Sequence, residues 1–310
     1  MKKMEKFGLI GDPIAESLSP TLFGAAYQNK YTYDLIEGQD FDTVYQKFID
    51  GYQAINVTSP FKEKAFKKEF ELLLKGEGNI SGPCYKIGAT NLLVKTENGI
   101  EAHNTDFTGV IMSVAETLFP GIVTEFNALY KEKAYIKIHQ FCKSQIPTRY
   151  SYTPQALIVG CGGAGKAAAI AAAEMGFETT IMNRTLEKAQ TLSTGLPEYH
   201  FIADPLTDFV PAVKECDLII YTLPTAIDAL SRLTVQDFFG EMEEGKETPG
   251  KIILESNYTH PSFQPEKILQ LMQAGGMYVS GKQWLLYQAL SGYSLMTGDL
   301  PALHLMEQSI

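Results

Sequence analysis

One segment of the sequence leaves the chain little conformational choice. The apolar run Ala156-Leu157-Ile158-Val159 leads directly into Gly160-Cys161-Gly162-Gly163-Ala164-Gly165, which opens an alanine-rich stretch, 164–175, closed by Gly176. Four uninterrupted apolar residues suit a strand covered on both faces, as in a parallel sheet. Glycines allow a tight turn into the helix, whose free N-terminal amides and dipole favour a pyrophosphate. The same alternation continues with strand 178–182, helix 186–193, strands 217–223 and 251–255, helix 264–274 and strand 277–279. Repeated βα units predict a doubly wound parallel sheet. Gly160, Gly162, Gly163 and Ala164 are the candidate dinucleotide contacts. The pattern is a GxGG variant, and a turn that merely lets helix 164–175 pack closely on its sheet is the competing reading.

The next strand ends in Asn183-Arg184-Thr185, with Lys188 one turn further on. A carboxylate here would accept hydrogen bonds from a ribose 2′-hydroxyl; a guanidinium instead suits a 2′-phosphate. Asn183, Arg184, Thr185 and Lys188 therefore point to NADP(H) over NAD(H) on a Rossmann-like domain. The bland alternative makes Thr185 a helix N-cap beside a surface arginine.

At 310 residues the chain asks for two domains. Upstream of the glycine turn, strands are expected at 6–11, 33–36 and 54–58, and helices at 18–30, 42–50 and 61–75. In the last, Phe61, Ala65, Phe66, Phe70 and Leu73 share a face. Glu97-Asn98-Gly99 between 92–95 and 100–103 predicts a hairpin, because Asn and Gly tolerate positive φ. A helix begins at Asp106 and ends at Pro120-Gly121. The aromatic-rich stretch 120–154 reads as an irregular bridge with one helix and one short strand, the alternation Tyr135 to His139 suggesting the strand. The acidic run 241–250 is expected to be an exposed loop.

A formal charge of −10 argues against non-specific nucleic-acid or anionic-membrane binding. Cys84, Cys142, Cys161 and Cys216 lack metal-ligand spacing and read as reduced, mostly buried thiols; no metal is expected. Lys2, Lys3 and Lys6 precede an apolar run too short for a signal peptide or a membrane span, so the expected location is cytoplasmic.

Four polar motifs sit at expected strand ends, where α/β active sites collect: Gly11-Asp-Pro-Ile-Ala-Glu-Ser17-Leu-Ser19-Pro20, Asn56-Val-Thr58-Ser-Pro60-Phe-Lys62, Gly88-Ala-Thr-Asn91 and Asn104-Thr-Asp106. Each has a bland reading. Ser17 or Ser19 would cap a helix, Asn56 and Thr58 would make turn hydrogen bonds, Lys62 would be a solvated helix charge, and Asp106 would cap the helix it begins.

Taken in order, these motifs, the glycine turn, the Asn-Arg-Thr turn and Gly281-Lys-Gln-Trp284-Leu285-Leu-Tyr-Gln288-Ala289 resemble the shikimate dehydrogenase family over residues 8–109 and 157–298. The resemblance implies reversible NADPH-dependent reduction of 3-dehydroshikimate to shikimate, on the route to aromatic amino acids. It implies Lys62 and Asp106 as the catalytic pair, and Ser17, Ser19, Thr58, Asn91 and Gln288 as groups binding the substrate carboxylate and hydroxyls. Tyr258 falls near a further family contact, although its Tyr-Thr-His-Pro spacing departs from the usual Tyr-x-Pro.

Other departures are Glu16 for a usual His, Phe107 where Gly is common, and Trp284 where Met is common. They leave open a related quinate or aminoshikimate dehydrogenase, or a catalytically silent NADP-binding paralogue. The implied architecture is a discontinuous α/β substrate domain, 1–108 completed by 281–310, and a cofactor domain, 109–280, with the active site in the cleft between them. Expected partners are a small-molecule substrate and NADP(H), in a monomer or homodimer, with no nucleic acid and no membrane.

Overall fold

The computed structural model describes residues 5–239 and 250–310, so Lys2, Lys3 and the acidic run over 241–249 lie outside the described residues. The chain divides into two compact units, Met1–Gly109 with Leu286–Ile310, and Val110–Leu285.

The first unit is built on strands β1 (Lys6–Gly11), β2 (Thr32–Glu37), β3 (Ala54–Val57), β4 (Gly78–Ile80), β5 (Leu92–Thr96) and β6 (Gly99–His103). They form one mixed sheet in the order β2-β1-β3-β5-β6-β4. β1 pairs in parallel with β2 and β3, while β5 runs antiparallel to β3 and β6. Helix Lys62–Leu74 turns Ala65 inward, with Phe66, Phe70 and Leu73 packed against a core containing Tyr45, Phe48, Ile55, Phe61 and Cys84. The predicted apolar face is present, yet at its centre lies Glu69, only 1% exposed.

The predicted hairpin forms with a correction to its turn. The loop is Glu97-Asn98, with Thr96 opposite Gly99, and only Gly99 has positive φ, at 108°. A side chain there would also drive its Cβ to 2.3 Å from the Glu77 carbonyl oxygen, so the glycine serves the approach of β4 as well as the turn. The first helix is shorter than its pattern, Ser19–Tyr27, because Gln28 and Asn29 take left-handed conformations (φ 51° and 59°).

The second unit holds β7 (Gln155–Val159), β8 (Glu178–Asn183), β9 (Ile202–Pro205), β10 (Leu218–Tyr221), β11 (Ile252–Glu255) and β12 (Met277–Val279). Every pairing is parallel and the order is β12-β11-β10-β7-β8-β9. The chain winds outward from β7 through β8 and β9, returns to β10, and winds outward again, which is the doubly wound order. β10 and β11 are buried along their whole length, in keeping with Leu-Ile-Ile-Tyr and Ile-Ile-Leu-Glu sequences.

Segment 120–154 corrects the sequence expectation. It is helical, with Ile122–Tyr130 and Ala134–Gln145 joined by a single 3-10 turn, and Tyr135 to His139 form no strand. The local alternation there is outweighed by a longer repeat of four: Ala134, Ile138, Cys142 and Ile146 are all buried. Phe141 adds edge-to-face contacts with Phe119 and Phe126, at 5.0 and 5.4 Å between ring centroids. No helix among the described residues is long and apolar enough to cross a membrane.

Candidate active site and its family

In the first unit, the segments after β3, before β5 and after β6 deliver side chains to one cluster. Lys62 opens the helix that follows β3, and its Nζ lies 2.6 Å from Asp106 Oδ2. The lysine side chain is 17% exposed and the aspartate 4%, so the pair is neither a solvated helix charge nor a surface ion pair. Asp106 stands in the first turn of helix Thr105–Leu118, directly after β6. It does not act as that helix's cap; Asn104 Oδ1 instead accepts a hydrogen bond from the Phe107 amide, at 3.4 Å.

Asn91 joins these elements. Its Oδ1 accepts from the Thr105 amide at 2.7 Å, while its Nδ2 donates to Thr105 Oγ1 at 3.0 Å and to Asp106 Oδ1 at 3.1 Å. A carboxylate held from one side by an amide and from the other by an ammonium has both oxygens fixed. Thr90 completes the link, its amide donating to the Lys62 carbonyl at 3.0 Å. His103, at the end of β6, is largely buried, and burial lowers its pKa despite Glu101 nearby.

Thr58, at the end of β3, donates its amide to Ile10 at 2.9 Å, which sets it against Gly11 at the end of β1. Ser17 and Ser19 follow β1. Neither caps the helix: the Ser19 amide donates to Ser17 Oγ at 3.2 Å and the two hydroxyls lie 3.1 Å apart. A polar pair of this kind suits a carboxylate, with hydroxyl protons free to rotate. Ser19 is fixed from behind, where Tyr293 donates its hydroxyl to the Ser19 carbonyl at 3.0 Å. On the same helix, Gly281–Thr297, Ser291 lies 2.7 Å from Thr108 Oγ1 and ties half-buried Gln288 to the Asp106 helix. Thr105, Ser291 and Tyr293 are partners that the motifs did not single out; their signal is hydrogen-bond geometry, which sequence spacing does not encode.

In the second unit, Gly160 turns at φ 114° and a Cβ there would lie 2.3 Å from Thr222 Oγ1. A Cβ on Gly165 would meet the Gly160 carbonyl oxygen at 2.1 Å. These two glycines therefore serve close packing of helix Gly163–Glu174. Gly162 is different: φ is −84° and a Cβ would meet no atom of the described residues within 4 Å. Its missing side chain leaves open space at a helix N-terminus, as a phosphate contact requires.

Asn183 fastens the loop, its Oδ1 accepting from the Cys161 amide at 3.1 Å and its Nδ2 donating to the Thr185 carbonyl at 2.9 Å. Thr185 occupies the N-cap position of helix Leu186–Gly195 without a side-chain cap bond. Arg184 and Lys188 are exposed, and Arg184 makes no ion pair among the described residues. Loop, open glycine and cations with no carboxylate at the β8 end fit a dinucleotide bearing a 2′-phosphate.

Tyr258 is half-buried after β11, beside Gly281, where an added Cβ would stand 2.9 Å from the Tyr258 nitrogen. It belongs to the second unit, unlike the other candidate substrate contacts. All four cysteines are free and buried, and burial pushes the Cys84, Cys142 and Cys216 thiols up to about 12. Among the described residues no His, Cys, Asp and Glu group could hold a metal.

Comparison with known proteins identifies a family for both parts of the chain. Residues 9–72 match the shikimate dehydrogenase substrate binding domain and 143–240 match shikimate / quinate 5-dehydrogenase. A shikimate dehydrogenase (NADP(+)) of Halothermothrix orenii is 28% identical, covering 96% of this chain and 92% of its own length. The crystal structure of Mycobacterium tuberculosis shikimate dehydrogenase has the same fold, with a TM-score of 0.71 at 23% identity over 98% of both chains. Quinate dehydrogenase from Corynebacterium glutamicum, in complex with NAD, also scores 0.71, at 19% identity over 99% of this chain and 98% of that one. With matches to both of its domains and a relative aligned over nearly the full length, the chain belongs to the shikimate dehydrogenase family.

Proposed function

We propose that this protein catalyses the reversible NADPH-dependent reduction of 3-dehydroshikimate to shikimate, with the first unit holding substrate and the second holding cofactor. The observation that carries the reading is the enclosed Lys62–Asp106 pair, 2.6 Å apart and braced by Asn91. The bound nicotinamide supplies the hydride. As the ketone carbon is reduced, negative charge gathers on its oxygen, and a preorganised ammonium stabilises that charge. Lys62 Nζ donates to that oxygen and provides the proton. Asp106 holds Nζ in place and accepts from a substrate hydroxyl.

Ser17, Ser19 and Thr58 bind the substrate carboxylate; Asn91 and Gln288 complete the polar lining. Each buried substrate group left unpaired would cost about 1–3 kcal/mol, so this lining selects a polyhydroxylated ring acid. Gly160, Gly162, Gly163 and Ala164 form the pyrophosphate turn. Arg184 and Lys188 favour the 2′-phosphate, with Asn183 and Thr185 shaping that corner. The relative's NADP(+) dependence supports the same cofactor. Lys62→Ala is expected to lower kcat by about 100-fold or more while NADPH titrates as in the wild type. Near-wild-type turnover in that variant removes Lys62 from the mechanism.

A further inference from the structure

A second layer of polar and aromatic side chains lies behind the Lys62–Asp106 pair. Tyr33 on β2 donates its hydroxyl to Asn56 Oδ1 on β3 at 2.8 Å. Asn56 Nδ2 donates to the Asn91 carbonyl oxygen at 3.2 Å, and the same oxygen accepts from the Val57 amide at 2.8 Å. That carbonyl belongs to the residue whose carboxamide grips Asp106. Two donors fix the main chain of Asn91 just before β5 begins, and so fix where its side chain points. The route Tyr33, Asn56, Asn91, Asp106, Lys62 is continuous in hydrogen bonds, and every link after Tyr33 lies at a strand or helix end.

Tyr33 is itself held by packing. Its ring sits 4.7 Å from Phe23 and 6.1 Å from Tyr293 between centroids. Tyr293 is the residue that donates to the Ser19 carbonyl. One aromatic layer therefore backs both Ser19 and the Asn91–Asp106–Lys62 series. An aromatic ring has few rotatable bonds, which suits it to fix a hydroxyl at small entropic cost.

We infer that Tyr33 is a positioning residue for the reaction, acting through Asn56 and the Asn91 main chain to hold Asp106 and Lys62 in register. The inference rests on the proposed reductase activity for its kinetic readout only. Small misplacements of a catalytic group cost rate disproportionately, and such losses fall on kcat when ground-state binding is intact. Residues acting along one path are non-additive.

The test is a double-mutant cycle with Tyr33→Phe, which removes one oxygen and keeps the ring, and Asn56→Ala. Tyr33→Phe is expected to lower kcat about 3–10-fold, with KM for NADPH unchanged. Asn56→Ala is expected to lower it further, and the double variant to be no slower than Asn56→Ala. In parallel, acetylation of Lys62 by acetic anhydride, followed by mass spectrometry without substrate, should rise at least threefold in both single variants. Full additivity, or unchanged kcat and Lys62 labelling in folded Tyr33→Phe, overturns the inference. If wild-type protein does not turn over 3-dehydroshikimate, the proposed function fails, and the labelling alone still decides the role of Tyr33.

Discussion

At the scale of single residues, the site depends on which charges are compensated. Asp106 is almost fully enclosed and meets an ammonium on one oxygen and an amide on the other. Glu69, seven residues after Lys62 on the same helix, is the contrasting case. It is buried against Tyr45, whose hydroxyl donates to Oε1 at 2.8 Å, while Oε2 has no hydrogen-bond partner among the described residues. Burial pushes its pKa up to about 7, opposed only in part by the Tyr45 bond and the Lys68 charge. The folded state thus keeps a proton that the unfolded chain releases at lower pH, so stability falls as pH rises from about 4.5 to about 7. Glu69→Gln keeps the shape and an acceptor for Tyr45. It should be more stable than wild type at pH 8, by roughly 3 kcal/mol at most, and nearly equal at pH 4. Urea unfolding at several pH values checks this; a gap that does not change with pH contradicts it.

Among secondary elements, the glycine turn divides into positions that serve packing and one, Gly162, whose proposed role is to face a ligand. Gly165→Ala forces a Cβ against the Gly160 carbonyl, at 2.1 Å, and should destabilise the protein by about 1–3 kcal/mol or more. Gly162→Ala meets nothing and should change stability by less than about 0.5 kcal/mol. Its methyl would nevertheless occupy the space left for pyrophosphate, so NADPH affinity should fall at least tenfold. Thermal unfolding beside NADPH titration separates the two, and a Gly162→Ala protein that binds normally contradicts the assignment.

These elements were legible because their periodicity is local: β7, the turn and the alanine helix declare themselves within twenty residues. Helices Ile122–Tyr130 and Ala134–Gln145 were not, because Tyr135 to His139 alternate locally while the deciding repeat runs from Ala134 to Ile146. β4 and β9 are three and four residues long, and strands so short carry too little pattern to stand out. The candidate site residues were legible as ordered motifs, whereas Thr105, Tyr293 and Tyr33 enter through contacts with residues far away in the chain.

For the whole molecule, a net charge of −10 must coexist with binding an anionic ring acid and an anionic dinucleotide. In the proposed sites the positive charge is local, with Lys62 in the first unit and Arg184 and Lys188 at the end of β8 in the second. Arg184→Ala should weaken NADPH about 10–100-fold and leave NADH nearly unaffected, since only the former carries the 2′-phosphate. Isothermal titration with both cofactors is the check, and equal losses contradict the charge argument.

The fold does not by itself choose among ring substrates, since shikimate and quinate dehydrogenases match it equally well, each with a TM-score of 0.71. The reaction itself distinguishes these substrates. Purified protein and NADPH, followed at the nicotinamide absorbance, would be offered 3-dehydroshikimate, 3-dehydroquinate and an amino analogue in turn. Rapid NADPH oxidation is expected with 3-dehydroshikimate, far slower oxidation with the others, and little with NADH. Preference for another ring acid, or no oxidation with any, would contradict it.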